Sequence, residues 1–597
     1  MYRKDGSIPE LSRDHFPKRL IVFDTEAFRS APLNGKEVQT FRIAVTRFIE
    51  LNDNLEVVDQ EYSYFMDIPA LLSCIDHFSR KDKTLYIYAH NIKYDLQLTG
   101  LLKDLLEAKW VIKNFVFEDP PTFIKLTKNR SSITFIDTFN YWQFSLSKMG
   151  EQLNKPKLDM PKDNANPDQW FTYCKRDVEV LSDYLLSFMR YLKENDLCGL
   201  GLTLASQSFR SYRHKFMNHP ITLHNRPEAL TLERSGYSGG RVEAFRIGDF
   251  PKQPYYKLDV NSMYPYVMKG ELYPHNFIGY TEDLPLDRLE KHLKRYYVIA
   301  EVTLNTDQAI YPVKTLHKLI FPIGSYKTTL HTKELQAALS ADHIRQIHRI
   351  AIYDQADLFT DYIDFFYNLK LQAELDHNPI IRHQAKIMMN SLYGKFGQRN
   401  VRSKITPNTT DTAYGRITGF SETLQCRVEV NCLGSSMEVS YKQGESTYSF
   451  PGIAGAVTAN ARIYLWKLMT SAGLDHVFYI DTDSLIVDSE GYQRLTPFLH
   501  LTELGKLKLE DTSDTVHIWG AKDYVFGAEV KHKGVPKAAK ETSEGVWDYE
   551  QFRGAKTWLS DGLNKDVEVY SRTKSRKSAY DKGVIMPDNT ISPIVLR

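Results

Sequence analysis

The chain has 597 residues, too many for a single hydrophobic core, so several domains are expected. Hydrophobic residues at 42% and charged residues at 25% give the mix of a soluble globular protein and exclude a largely disordered chain. The net charge of +2 neither supports nor excludes a nucleic-acid partner, because acidic metal sites offset local basic grooves. Five cysteines with no C-x-x-C pair argue against a disulfide framework and a zinc ribbon. The first 19 residues mix acids and bases without an apolar core and read as neither a secretory nor a transit peptide. No apolar run is long enough to span a bilayer.

In chain order, Leu20-Ile21-Val22-Phe23 reads as a strand leading into Asp24, and 84–89 as a second strand leading into His90-Asn91. A Pro/Asn/Asp-rich segment at 161–167 precedes a helix over about 169–192, closing an α/β unit near residue 195. A strand over 255–260 opens a new region. Helices over about 358–376 and 380–397, split by His377-Asn378-Pro379, read as an antiparallel hairpin. Residues 401–450 are rich in Thr, Ser and Gly and alternate as strands, and 569–582 is basic (Arg572, Lys574, Arg576, Lys577, Lys582).

Three groups of residues carry chemistry. Asp24 and Glu26 share a strand face, Asp95 ends Asn91-Ile92-Lys93-Tyr94-Asp95, and Asp177 lies one helical turn after Tyr173. Four converging carboxylates repel one another unless cations occupy the site, and two divalent ions suit phosphodiester cleavage, with Tyr173 orienting the water. In the second group, Asp259 ends its strand and Tyr479-Ile480-Asp481-Thr482-Asp483-Ser484 forms the turn of a β-hairpin. Asp259 and Asp483 are expected to share two Mg²⁺ (or Mn²⁺) ions that activate a primer hydroxyl and hold a triphosphate. In the third, Lys386, Asn390, Tyr393 and Gly397 follow i, i+4, i+7, i+11 and are expected on one helix face. Lys386 would meet phosphates, with Lys370 adding a contact from the partner helix; Tyr393 would wall the base pair and Gly394 let it approach. Taken singly, a D-x-E is a solvated surface pair, an Asp-Thr-Asp-Ser a plain turn and a lysine helix an amphipathic one; their combination in order is what is specific.

In this combination the chain resembles the family-B DNA polymerases, and more narrowly their protein-primed branch, found in linear-genome phages, adenoviruses and linear organellar plasmids. D-x-E, N-x-x-Y-D and Y-x-x-x-D look like the proofreading motifs. Asp259 to Pro265 looks like motif A, Lys386 to Gly394 like motif B, and Tyr479 to Ser484 like motif C. Tyr237-Ser238-Gly239-Gly240 is similar to the Y-x-G-G linker, Thr458 to Arg462 to T-x-x-A-R, and Lys522-Asp523-Tyr524 to K-x-Y. The motifs run from 24 to 524 in family order.

The resemblance implies an α/β and α+β multidomain fold: a ribonuclease-H-like exonuclease followed by a right-hand polymerase with two insertions. The expected map is exonuclease 1–195; linker and palm 196–269; a first insertion 270–357 that docks a terminal protein and duplex DNA; fingers 358–398; a second insertion 399–450 for strand displacement and processivity; palm 451–530; and thumb with basic C-terminus 531–597. It implies that the Val260 carbonyl assists metal binding, that Asp481 supports the site, and that Tyr264 excludes a ribose 2′-hydroxyl. Tyr237, Gly239, Gly240, Thr458, Arg462, Lys522 and Tyr524 would meet DNA, as would Asn91 and Tyr94. Lys531, Lys533 and Lys537 would grip duplex phosphates. Thr138-Phe139-Asn140-Tyr141-Trp142 stands where the family has S/T-L-x-x-h, with Phe for Leu. The proofreading lysine is Lys162 or Lys157, with Lys162 preferred.

The activity implied is DNA-directed DNA synthesis with 3′→5′ proofreading, using template–primer DNA, dNTPs and two Mg²⁺ or Mn²⁺ per site. A terminal protein would prime it; the alternative is an ordinary nucleic-acid primer or none. A monomer without membrane contact, in the cytoplasm of a host cell and not secreted, is expected. Intact acids argue against a lone nuclease or an inactive DNA-binding relative, and the missing G-x-x-x-x-G-K-[ST] loop argues against an ATP-driven helicase.

Overall fold

The computed structural model describes residues 6–12, 15–33, 35–576 and 580–597; Lys577 of the basic stretch lies outside them. The N-terminal unit is built on the strand Arg19–Arg29, which pairs antiparallel with Lys36–Leu51 and parallel with Thr84–Ala89. Ser131–Asp137 continues the sheet in parallel, followed by Thr122–Lys128 and Val111–Phe117. Helix Pro167–Glu194 covers one face, started by a capping box in which Asn166 and Gln169 satisfy each other's backbone N–H. Its inner side carries Tyr173, Asp177, Leu181, Tyr184 and Phe188, all buried.

The palm is a five-stranded sheet in the order Val242–Ala244, Val477–Asp481, Ser484–Asp488, Tyr255–Val260, Leu507–Ser513. Helix Pro451–Ala472 is apolar almost all round and buried for most of its length, as a helix through the middle of a core must be. The two finger helices are Thr360–Leu375 and Pro379–Asn390. The second is shorter than its sequence pattern predicts: it breaks at Ser391–Leu392 and resumes as Tyr393–Phe396. Lys386 and Gly397 therefore do not lie on one continuous helix face.

Both insertions are sheets. Residues 270–357 form Tyr273–Glu282, Ile344–Ala356, Tyr297–Thr306 and Ile323–His331 around their own apolar core, and Val595–Leu596 joins the last of these in parallel. Residues 399–450 form a four-stranded antiparallel sheet, Arg399–Pro407, Ser436–Glu445, Cys426–Leu433 and Tyr414–Ser421.

The segment 531–597 is not a separate body. Its strands Lys540–Ser543, Val546–Phe552 and Val567–Ser575 extend the N-terminal sheet, because Val567–Tyr570 pairs with the otherwise open edge at Lys36–Gln39. Its last residues run along the palm, with Ile247 donating to the Asn589 carbonyl and Ile591 to that of Phe245, before reaching the first insertion.

Candidate active sites

In the N-terminal unit Asp24 and Glu26 lie inside the strand rather than after it, and Asp177 faces them from the long helix. Asp95 enters from the helix Ile92–Thr99, whose start is set by Asn91 in a left-handed conformation. The Thr25 hydroxyl donates to Asp95 at 2.6 Å. Burial and mutual repulsion raise the proton affinity of the whole group. Asp24 is held well above the ordinary carboxylate range by burial, then by Asp177, Glu26 and Asp95. Glu26 is pushed up to about 7 by burial and by Asp177.

Lys157, not Lys162, is the lysine of this site. Its Nζ lies 2.5 Å from Asp177 Oδ2 and 4.9 Å from the centre of the Tyr173 ring, while Lys162 is exposed in the loop before the helix. Burial alone would lower the Lys157 pKa, but the Asp177 charge and hydrogen bond outweigh it and raise the pKa overall. Spacing alone did not choose between the two lysines, since both fall in the same loop.

The donor set fits hard divalent cations. Ligand atoms of Asp24, Glu26 and Cys174 lie within 4.8 Å of one another, and Asp177 Oδ1 is buried with no hydrogen-bond partner among the described residues. Burial keeps the Cys174 thiol protonated, and it donates toward Asp24, so oxygens rather than sulfur are the ligands on offer.

In the palm, Asp259 sits opposite Ser484 in adjacent strands, and the Val260 N–H donates to the Asp483 carbonyl at 2.7 Å. Thr482 takes a left-handed conformation at the turn, which lets the Asp483 N–H reach the Asp481 carbonyl at 2.7 Å. Asp259 is pushed up to about 7 by burial, by Asp483 and by Glu510, while Lys386 and Lys257 pull it down. Burial likewise raises Asp483. Asp481 adds to the repulsion that raises Asp483 and contacts Lys522, Nζ to Oδ1, at 3.4 Å.

Tyr264 stacks on Tyr393 at 4.7 Å between ring centres. The linker passes against them: a Cβ on Gly240 would come within 2.8 Å of Thr482 Cγ2 and 3.1 Å of the Tyr264 hydroxyl. Gly397 is held equally close, since its Cβ would meet the Tyr237 ring at 2.5 Å. A Cβ on Gly394 would meet nothing within 4 Å, so that position borders open space. Asn390 donates back to the Lys386 carbonyl at 2.7 Å. Lys370 is half-buried, and its proton affinity is lowered by burial and by the charges of Arg382, Lys386 and Lys508.

Three expected DNA contacts are internal instead. Arg462 is 3% exposed, pairs with Glu334 at 2.8 Å, and donates to the carbonyls of Ser238 and Gly239 at 3.0 and 2.9 Å. Thr458 is buried and its hydroxyl donates to the Gly455 carbonyl of its own helix at 3.0 Å. Tyr524 is buried against Tyr479. A guanidinium this deep needs a full set of acceptors, and the linker carbonyls and Glu334 supply them. By contrast Lys522, Lys531, Lys533 and Lys537 are exposed. Tyr94 is half-buried, its hydroxyl donating to Gln39, and Phe139 stacks on His90 at 4.3 Å.

The sequence profile described as "DNA polymerase type B, organellar and viral" matches residues 153–433. A "probable DNA polymerase" of Neurospora intermedia is 24% identical over 558 residues, which is 85% of this chain and 55% of the relative. The "DNA-directed DNA polymerase" of Enterobacteria phage PRD1 is 27% identical over 379 residues, 60% of this chain and 62% of the relative. A solved structure of Phi29 DNA polymerase with primer-template DNA and incoming nucleotide superposes with a TM-score of 0.66 at 15% identity, over 94% of this chain and all of that one.

The chain is similar over residues 153–433 to the type B DNA polymerases of the organellar and viral kind, and it shares its fold with Phi29 DNA polymerase.

It spans about half the length of the Neurospora relative, and 38% of a "probable DNA polymerase" of Podospora anserina. Against the type B motif set, four side chains went unread in the sequence: Glu510 beside Asp259 and Asp483, Arg382 and Lys508 beside Lys370, and Lys257, which bonds Glu529 at 2.6 Å. Arg382 lies one helical turn before Lys386, so the finger-helix pattern held a signal for it. Glu510 and Lys508 come from a strand with no motif around them, and only the fold reveals their place.

Proposed function

We propose that the chain is a DNA-directed DNA polymerase with a separate 3′→5′ exonuclease. The observation that carries this is the meeting of Asp259, on the strand Tyr255–Val260, with Asp483, at the hairpin turn beside it, beneath a basic finger face of Lys370, Arg382 and Lys386. Lys386, Lys370 and Arg382 would bind the triphosphate oxygens, and the Tyr264–Tyr393 stack would wall the nascent base pair on the sugar side. Asp259 and Asp483, with the Val260 carbonyl, would hold a pair of Mg²⁺ or Mn²⁺ ions, which when bound would activate the primer hydroxyl and offset charge on the leaving group. In the other site Asp24, Glu26, Asp95 and Asp177 would hold a second pair. There Lys157 and Tyr173 would orient the water and the scissile phosphate. Exposed Lys531, Lys533 and Lys537 would follow the duplex backbone.

Priming by a terminal protein and strand displacement without a helicase are part of the proposal, supported by two sheet insertions at the places where the protein-primed branch carries them. Replication of a linear viral or plasmid genome inside a host cell follows from the same reading. Among the described residues no helix is long and apolar enough to cross a membrane.

The test is primer extension beside nucleotide release from single-stranded DNA. Asp483→Ala should abolish extension and leave release within about twofold; Asp24→Ala with Glu26→Ala should do the reverse. Loss of both activities in either folded variant would refute two independent sites. Incubating the protein with labelled dATP and the product of a neighbouring small basic reading frame separates the priming modes. A covalent protein–nucleotide adduct supports the terminal protein, and extension of oligonucleotides alone supports an ordinary primer.

A further inference from the structure

Of the three elements that carry the exonuclease acids, the strand with Asp24 and Glu26 and the helix with Asp177 each continue outward by one structural repeat. Along the strand Arg19–Arg29, residues two apart share a face, so Asp24 and Glu26 are followed there by Phe28. The register shift beside Glu26 leaves the extra residue, Arg42, on the partner strand, so alternation on this strand is unbroken. Along the helix Pro167–Glu194, Asp177 and Tyr173 are preceded one turn earlier by Trp170, whose ring meets that of Tyr173 edge-on.

Phe28 and Trp170 meet around Arg42. The guanidinium lies 4.1 Å from the centre of the Phe28 ring and 4.0 Å from that of Trp170. It is fixed by bonds to the Asp163 carbonyl at 3.1 Å and the Asp163 carboxylate at 3.3 Å. Arg42 and Trp170 are 7% and 3% exposed, whereas Phe28 is 48% exposed. A large ring is thus backed by a buried cation, with about half of its surface exposed, on a residue that follows the acids on the same strand face.

We propose that Phe28, backed by Arg42 and Trp170, is a stacking platform for a nucleobase of the single strand being trimmed. The proposal rests on the exonuclease reading of Asp24 and Glu26. Single-strand sites combine cationic charge with aromatic rings, because every base has a π-face and stacking tolerates any sequence. Arginine behind the ring strengthens such a surface by cation–π attraction. A ring already immobilised loses little entropy on binding, so the contact is retained as affinity. Phe28 is a binding residue here; it touches the strand and not the scissile phosphate.

The experiment is nucleotide release from a labelled single-stranded oligonucleotide by the full chain carrying Phe28→Ala or Phe28→Trp, both at an exposed position the fold tolerates. Phe28→Ala should raise KM about tenfold, the scale of one base–aromatic stack, with kcat within about twofold. Phe28→Trp should keep wild-type KM. An abasic residue scanned through the last four positions should at one position erase the difference between wild type and Phe28→Ala. Equal KM values, or a defect that persists unchanged through the whole scan, would overturn the assignment. If the wild type releases no nucleotide, the exonuclease reading fails on its own. Quenching of a 2-aminopurine oligonucleotide without divalent metal still decides the platform: quenching by wild type and Phe28→Trp but not Phe28→Ala supports it, and equal quenching by all three overturns it.

Discussion

Carboxylates packed this closely carry a cost that metal ions relieve, and the cost is visible in pH. Glu26 and Asp259 are both pushed up to about 7, burial being the first cause in each. The sign follows from proton counting. Between the ordinary carboxylate value and about 7 the folded protein holds protons that the unfolded chain has released, so metal-free stability falls as pH rises through that window. For Glu26 the full fall is about 3 kcal/mol. Thermal unfolding in EDTA from pH 4.5 to 8 should show a Tm that declines less steeply in Glu26→Gln than in the wild type. Equal slopes would mean that Glu26 ionises freely in the folded state. Added Mg²⁺ should raise Tm more at pH 8 than at pH 6, because cation and proton compete for the same oxygens. Lys157 supplies the one positive charge bonded to Asp177 among the described residues. Lys157→Met should therefore cut nucleotide release by about a hundredfold, the scale of a lost positioning group, while Lys162→Met leaves it near wild type. Steady-state kinetics on single-stranded DNA would read the difference, and the reverse ranking would restore Lys162.

At the scale of elements, legibility followed the strength of the local signal. The strands at 84–89 and 255–260 and the hairpin around Asp481 to Ser484 stand where alternation and turn chemistry put them. The finger helix deceived because motif B keeps an apolar helical pattern through a backbone break at Ser391, whose hydroxyl bonds back to the Ile387 carbonyl. Arg462 deceived for a different reason. Its motif was legible, but nothing in T-x-x-A-R says whether the guanidinium faces DNA or the interior. The structure turns it inward to Glu334, across 128 residues. This makes a sharp prediction, because removing one partner of a buried ion pair strands the other charge. Arg462→Ala should cost about 3–5 kcal/mol of stability, measured by denaturant unfolding, whereas exposed Lys533→Ala should cost under about 0.5 kcal/mol and weaken template–primer binding more steeply as salt is lowered. A silent Arg462→Ala in unfolding would return that residue to the DNA surface.

At the scale of the whole molecule, the long-range joins were invisible in the sequence because edge pairing has no local signature. The pairing of Val567–Tyr570 with Lys36–Gln39, and of Val595–Leu596 with Ile323–Gly324, tie the far C-terminal region to both the N-terminal unit and the first insertion. The second insertion is joined in the same sense. Its Leu433, Ile405 and Tyr414 pack into the N-terminal core that contains Leu106 and Trp558, and Lys103 lies 5.3 Å from the Tyr414 ring centre. An unanchored β-hairpin would swing away from duplex DNA arriving at the template side; a four-stranded sheet seated on a second domain resists that load. Two consequences are expected of it. If the sheet closes a path around the template, as proposed, that path would lower the off-rate without reading sequence, and a narrow entry would force the downstream strand aside. Replacing residues 402–446 with a short Gly-Ser turn should therefore leave gap filling intact while extension stops at the first duplex barrier. On a primed single-stranded circle with excess trap DNA, the full chain should make products longer than one circle from one binding event, and the shortened one should not. Leu433→Asp offers the subtler arm: it keeps the sheet's length but charges its seat on the N-terminal core, and should shorten products without reaching the deletion's full effect. Displacement by the shortened chain equal to that of the full chain would show that the wedge lies elsewhere. Normal processivity in Leu433→Asp, with displacement lost only in the deletion, would separate the two roles and assign the anchored seat to neither.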